Sequence, residues 1–411
     1  MKKFVIISTI LILLAAGFFG YSLYHYMQVT ELIKPETVKT TDETGEKKDQ
    51  NASEASDEQS ASSDGGIFAA NYEKAKVYVD TMTKEQMAGQ MLMGICADPS
   101  AAASEINKYG LSGMLFESAN FEGMTPEQVT TALHSVTAQS ELKPILAAQE
   151  EGGSYTTVSD LSTFSDHDFN SLRVDFAAGG LQAVEKAEDD KSTMLKTLGF
   201  NLNLAPVVDM PDSADQIMYS RSISNDVNTV SAFAEYAAKF NQAKGVSVAL
   251  KHFPGYGTIP DSANTGTGAV VDERAADTIR NTDYQPFIKG VQAGAHFVMV
   301  SNVVVKNIDS AHTAALSPSV HNELRDTVGF SGLIITDVLD GADYSAYADG
   351  KKPAVQAVLA GNDIILVRDY ASAYNDIIAA LGDGTINEDQ LKNACTRILA
   401  YKYTAGIVNS P

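Results

Sequence analysis

The chain has 411 residues, with 30 Lys or Arg against 52 Asp or Glu and a formal net charge of −22. That balance argues against a nucleic-acid binder, whose phosphate contacts need clustered cations, and against a peripheral protein held by anionic lipid. Hydrophobic residues at 44% supply a sizeable core and exclude wholesale disorder. Two cysteines, Cys96 and Cys395, are too few for a disulfide scaffold or a zinc ribbon; they either pair once or, on the simpler reading, are small buried hydrophobes.

Met1-Lys2-Lys3 opens the chain, and the 20 residues from Phe4 to Leu23 carry no charge. Such a run matches the length that spans a bilayer core, about 20 residues. Ala15-Ala16-Gly17 is followed by Phe18, Phe19 and Tyr21 and not by a cleavage pattern. The segment therefore predicts an uncleaved signal anchor, with a cleaved and secreted form as the alternative. Lys2 and Lys3 stay in the cytoplasm, which puts everything after Tyr26 outside. Pro35 to Gly66 holds nine acidic and three basic residues, no aromatic, and Val38 as its one large aliphatic residue. It cannot bury enough apolar surface to offset its chain entropy. Residues 1–27 are thus expected to be a transmembrane signal anchor, 28–66 a disordered acidic linker, and 67–411 the folded domain.

From there short runs of Val, Ile, Leu and Met alternate with longer polar, Ala-rich helical stretches. The runs are Met91–Ile95, Gly113–Phe116, Ile145–Gln149, Leu202–Val208, Val246–His252, Phe297–Ser301, Leu333–Thr336 and Ile364–Val367. Eight strand–helix units predict an α/β fold of the (β/α)8 TIM-like barrel type. Thr125-Pro126-Glu127 and Ser317-Pro318 read as helix starts, a capping residue followed by Pro at the first helical position. After Val367 the chain has room for about a helix and a half, and no second domain is expected to contribute to the site. Polar residues close five of the runs: Gln149, Glu150 and Glu151; Asp209; Lys251 and His252; Ser301 and Asn302; Asp337. In a barrel these ends share the one rim where active sites form. His296 falls at a strand start on the opposite rim, and His134 and His321 in helical stretches, so structural roles are expected. The histidines have no metal-binding spacing, and neither metal nor cofactor is predicted.

Lys251-His252-Phe253-Pro254-Gly255-Tyr256-Gly257, followed by Asp261-Ser262, resembles the signature of glycoside hydrolase family 3, in its single-domain β-N-acetylglucosaminidase branch. Thr83–Met93, Gln149–Gly153, Leu198–Asp209, Arg221-Ser222 with Asp226, and Gly329–Asp337 are similar to further stretches of that family. The resemblance runs from Met82 to Tyr403. It implies that Asp337 is the nucleophile of a retaining glycosidase, forming a glycosyl-enzyme ester. It implies that Arg221, Lys251 and His252 bind the sugar's hydroxyl and N-acetyl groups. Gln149, Glu151, Asp209 and Asn302 stand at further substrate-facing positions. The implied ligand is an N-acetylglucosamine-containing cell-wall or other extracellular glycan.

The family pattern is broken at several of these positions. The general acid/base His of D-S-H is missing, since the motif reads Asp261-Ser262-Ala263. Tyr256 stands for the His of G-H-G, Gln149 for Asp, Ser154 for Arg and Asn302 for His. Loss of a positioned acid forfeits about 10²–10⁴ in rate. Asp261, Glu150, Glu151, His312 and the Tyr256 phenol are the candidates for a substitute. Two function classes remain: a membrane-anchored extracytoplasmic β-glycosidase, and a catalytically silent relative that binds glycan or a protein partner. An aldolase using Lys251 as a Schiff base is a distant third.

Overall fold

The structure is a computed structural model that describes residues 65–164, 169–264 and 269–408. The expected anchor and nearly all of the expected linker, with His25 and also His167, lie outside the described residues. Among the described residues no helix is long and apolar enough to cross a membrane.

Eight parallel strands make the barrel: β1 Leu92–Ile95, β2 Gly113–Leu115, β3 Ile145–Ala148, β4 Leu202–Asn203, β5 Ser247–Phe253, β6 Phe297–Val300, β7 Leu333–Thr336 and β8 Ile365–Val367. They pair in chain order, with β8 beside β1. A bridge between Ile335 and Ile364 joins β7 to β8 and closes the ring. Each strand coincides with one of the eight apolar runs. Side chains alternate along each strand, so that Phe297 and Met299 join one apolar cluster while Val298 and Val300 join another. The second cluster lies against the helices Val227–Tyr236 and Tyr284–Gln292.

β4 is shorter than the run Leu202–Val208 suggested. Pro206 has no N–H to give to a ladder. The chain leaves the regular pairing there and regains it at a bridge between Val207 and Lys251, which sets Asp209 on the rim. The expected helix starts are present. Thr125 closes a capping box on the helix Pro126–Gln139, and Ser317 Oγ accepts the Val320 amide on Pro318–Asn322. Two full helices, Tyr370–Gly382 and Glu388–Thr404, follow β8, more than the expected helix and a half. The second begins at a capping box on Asn387, a local signal that a count of remaining residues overlooks.

Cys96 and Cys395 are free and buried. His296 sits between the rings of Phe68 and Tyr401, with Nδ1 2.9 Å from Ser247 Oγ. Burial lowers its pKa to about 4. On the last helix Lys402 is fully buried, and its ammonium donates to Gln90 Oε1 at 3.1 Å. Burial lowers its pKa to about 7. Asp363, at the entry to β8, is fully buried and accepts from Arg325, Arg397 and the Ile334 amide.

Candidate active site

The five polar strand ends meet on one rim. At the end of β5 the register against β6 slips by one residue, and His252 is the extra residue between Lys251 and Phe253. A bulge of this kind turns consecutive side chains toward one region. Lys251 and His252 are both buried at the mouth of the barrel.

Glu151, from the loop after β3, is the hub. Its Oε1 accepts from Lys251 Nζ at 2.6 Å, Arg221 Nη2 at 2.7 Å and Gln149 Nε2 at 3.0 Å. Its Oε2 accepts from Arg221 Nε at 2.8 Å. Burial acts to raise the Glu151 pKa, but Lys251 and Arg221 outweigh it and hold the carboxyl well below its usual range. The loop is held from beneath, where buried Lys191 donates to the Glu151 carbonyl at 2.8 Å. Gly152, at φ 94°, passes so close to the Asn170 carbonyl that a Cβ would lie 2.2 Å from it. The turn ends at Tyr155, whose half-exposed ring carries the Arg221 guanidinium 4.2 Å from its centre.

A second pair lies beside the first. His252 Nδ1 is 2.8 Å from Asp209 Oδ2, while Asp209 Oδ1 accepts the Tyr256 amide at 2.8 Å. His252 Nε2 is 3.5 Å from Arg221 Nη2. A proton on Nδ1, donated to Asp209, leaves Nε2 with its lone pair toward the guanidinium. The Tyr256 ring meets the imidazole edge-on at 5.2 Å. Burial pushes the Tyr256 phenol well above its usual value, and the charges of Asp337 and Asp209 push it further. The Gly255-Tyr256-Gly257 turn rests on an ion-pair block: Arg274 bound to Asp272 and Asp283.

Asp337 follows β7 and is half-buried. Its amide donates to the Val300 carbonyl at 2.9 Å, and its Oδ1 accepts the Val338 amide at 2.7 Å. Its charge acts on both Lys251 and Tyr256. Asn302 Nδ2 donates to the Val338 carbonyl at 2.9 Å, which steadies the backbone next to Asp337.

The structure thus brings together Gln149, Glu151, Asp209, Arg221, Lys251, His252 and Asp337, with Asn302 behind. Gln149 gives one of its two amide N–H groups to Glu151, and the Glu151 carboxylate accepts from four protein donors. Asp261 is not brought into the cluster. It is exposed on the single turn Asp261–Ala263, and among the described residues its carboxylate meets none of the others.

The other candidates for a proton donor are committed elsewhere. Glu150 is fully buried, and its carboxylate accepts from the Thr157 and Val158 amides and from Ser159. Burial raises its pKa, as an acid requires, but its oxygens point into the backbone and away from a substrate. Glu151 is held ionised, and the Tyr256 phenol is held protonated. His312 stands between two aspartates. Lys191, Tyr155 and Arg274 escaped the sequence reading. A long side chain on a distant element leaves no spacing signal, although Tyr155, two residues past Gly152-Gly153, was within reach. Among the described residues no three His, Cys, Asp or Glu side chains converge as a metal site.

What remains free in the cleft is a set of donors. Lys251 keeps N–H groups beyond the one given to Glu151, Arg221 keeps one beyond those aimed at Glu151, His252 and the Met218 sulfur, and both lie beside a carboxylate at a strand end. Such a set holds oxygen acceptors of a polyhydroxylated ligand next to a nucleophilic oxygen.

The family model described as "Glycosyl hydrolase family 3 N terminal domain" matches residues 83–401. A beta-hexosaminidase of Stenotrophomonas maltophilia is 30% identical over 266 residues, which are 62% of this chain and 76% of that protein. An uncharacterized secreted glycosyl hydrolase of Arthroderma benhamiae is 28% identical over 264 residues, covering 62% of this chain and 73% of that one. A beta-N-acetylhexosaminidase structure from Beutenbergia cavernae superposes with a TM-score of 0.67 at 27% identity, over 78% of this chain and 98% of that chain. A family 3 beta-N-acetylglucosaminidase structure from Paenibacillus shares the fold, with a TM-score of 0.72 at 24% identity, over 80% of this chain and 63% of that chain.

Proposed function

The chain belongs to glycosyl hydrolase family 3, and on that premise we propose that it is a membrane-anchored, extracytoplasmic β-glycosidase that removes terminal N-acetylglucosamine-type sugars with retention of configuration. The observation that carries this reading is Asp337 at the end of β7, electrostatically linked to Lys251 of the Glu151–Arg221–Lys251 cluster. Asp337 attacks the anomeric carbon, the bond from that carbon to the aglycone oxygen breaks, and water then hydrolyses the glycosyl ester. Arg221 and Lys251 hold the sugar's oxygens while positive charge develops on the ring. The Asp209–His252 hydrogen bond fixes the orientation of the imidazole beside them. The hexosaminidase names of the relatives support this sugar class. The anchor rests on residues 4–23 of the sequence alone, and the name of the secreted relative supports an extracytoplasmic location.

Among the described residues the aglycone oxygen finds no partner equivalent to the family's acid. Good leaving groups depart without protonation; poor ones lose the help of a positioned acid, about 10²–10⁴ in rate. The purified chain should therefore hydrolyse aryl N-acetyl-β-glucosaminides with a steep dependence on leaving-group pKa. Asp337→Ala should abolish turnover, and the first-formed sugar should be the β anomer. Release of the α anomer, or undiminished turnover in Asp337→Ala, refutes the mechanism. The sequence Asp261-Ser262-Ala263, together with the exposed, unengaged Asp261, favours a second reading: a glycan-binding relative without turnover. No turnover on any aryl glycoside, with saturable binding of the sugar, selects it.

A further inference from the structure

The loop after β7, residues 337–352, leaves Asp337, and two contacts among the described residues tie it to the loop after β6, residues 301–317. The first tie is Asn302 Nδ2 to the Val338 carbonyl at 2.9 Å. The second is His312. Its Nδ1 is 2.9 Å from Asp309 Oδ2, and its Nε2 is 3.1 Å from Asp349 Oδ2.

The two ends of this second tie are unequal. Asp309 is fixed. Its Oδ1 accepts the Ala311 and His312 amides at 3.0 and 3.2 Å, and its Oδ2 accepts Ser317 Oγ at 2.6 Å, the residue that caps the next helix. Asp349 sits in a tight turn in which the Lys351 amide donates to the Ala348 carbonyl at 2.8 Å. Its φ of 52° is the one left-handed backbone conformation outside glycine among the described residues. Its contact with Nε2 is at ion-pair distance without the alignment of a hydrogen bond. Asp349 is the end that can let go.

A neutral imidazole has one N–H, so it can serve one of two facing carboxylates and must turn a lone pair toward the other. The imidazolium serves both. We propose that His312 is a positioning residue: as an imidazolium it ties the far end of the 337–352 loop to the 301–317 loop, and its deprotonation releases the segment that carries Asp337. This rests on the reading of Asp337 as the nucleophile. The charged groups facing the ring are Asp309 from its own loop and Asp349 from the other, with Lys351 Nζ 3.9 Å from Asp349 Oδ2. Burial acts to lower the His312 pKa, and the two aspartates outweigh it, so the pKa lies above that of a free histidine. The sign follows. The tie is complete below the pKa of an unfolded-chain histidine and is lost as pH rises through the raised folded value.

The test follows hydrogen exchange of residues 338–350 in the full chain against pH, corrected for intrinsic exchange, beside kcat and KM on an activated aryl glycoside. In the wild type, protection of this segment should fall about tenfold as His312 titrates, and kcat should fall with the same midpoint while KM changes little. His312→Gln and Asp349→Asn should each abolish the pH-dependent step in both readouts. Two variants guard against a folding defect in one. Protection that ignores His312 titration, or a wild-type pH profile in His312→Gln, overturns the proposal. If no variant and no wild type turns over substrate, the nucleophile reading fails, and the exchange data alone still decide whether His312 is the tie.

Discussion

Replacing Glu151 by Gln removes one charge while keeping the shape of the side chain. Four donors converge on its two oxygens, from Lys251, Gln149 and, twice, Arg221. An amide offers one oxygen, and its NH₂ faces at least one of these donors N–H to N–H. Two buried cations lose their shared counter-charge. With charge centres about 4 Å apart and an effective dielectric of about 20, each pair is worth about 4 kcal/mol before desolvation. Breaking one buried pair costs about 3–5 kcal/mol net, and Glu151→Gln should destabilise the protein by that amount at pH 7. Chemical denaturation of wild type and variant measures it. The linkage sign sharpens the test. The folded carboxyl is held below its unfolded value, so its stabilisation is complete above pH 5 and is lost as pH falls toward the folded pKa. The gap between wild type and variant should narrow by about 2 kcal/mol between pH 5 and pH 3. A gap below about 1 kcal/mol at pH 7, or one that does not change with acid, refutes the view that charge holds this cluster together.

Two further predictions concern residues outside the cleft. Lys402 has a folded pKa of about 7, so the unfolded chain binds more protons than the folded one between about pH 7 and 10.4, and stability should rise with pH across that window. Lys402→Met should flatten that rise and stabilise the protein at pH 7 by about 1–3 kcal/mol, less than the full cost of the buried charge because Gln90 Oε1 loses its donor; an unchanged slope in denaturation curves at pH 7, 8.5 and 10 would count against it. Gly257→Ala would bring a Cβ to 2.0 Å from Arg274 Nη2, at a φ of 51° and against a guanidinium locked by two aspartates. Stability should fall by about 1–3 kcal/mol, and kcat/KM should fall at least about tenfold as Tyr256 and the end of β5 shift. A variant with wild-type kinetics would show that the ion-pair block does not hold the turn.

The barrel was legible because each strand is a compact aliphatic run, and such runs need little context to be read. β4 resisted because Pro206 interrupts its ladder, a backbone effect that apolar composition hides. The short pair Val271–Asp272 with Val304–Val305 went unread because two residues carry no period. The rim residues could be named from their places at strand ends. Who holds whom could not, since Arg221 and Glu151 are 70 residues apart. Gln149 illustrates the limit: its place at a strand end was legible, its hydrogen bond to Glu151 was not. Asp261 lies in register with a motif, yet its loop leaves it exposed, because motif register says nothing of where a loop points.

The closure of the barrel has a consequence for the footing of Asp337. Other strand pairs share two to four ladder partners, but β7 and β8 meet at the single bridge Ile335–Ile364. Beyond it Thr336 Oγ1, in place of a carbonyl, accepts the Leu366 amide at 3.0 Å. Thr336 points into this joint and Asp337 follows it onto the rim, so the Asp337 carboxylate is mounted where the ring closes. A methyl in place of that hydroxyl would slacken the mounting without touching the cleft. A displacement at this joint would therefore be felt at Asp337 directly, whereas Glu151 follows β3, on the opposite side of the ring.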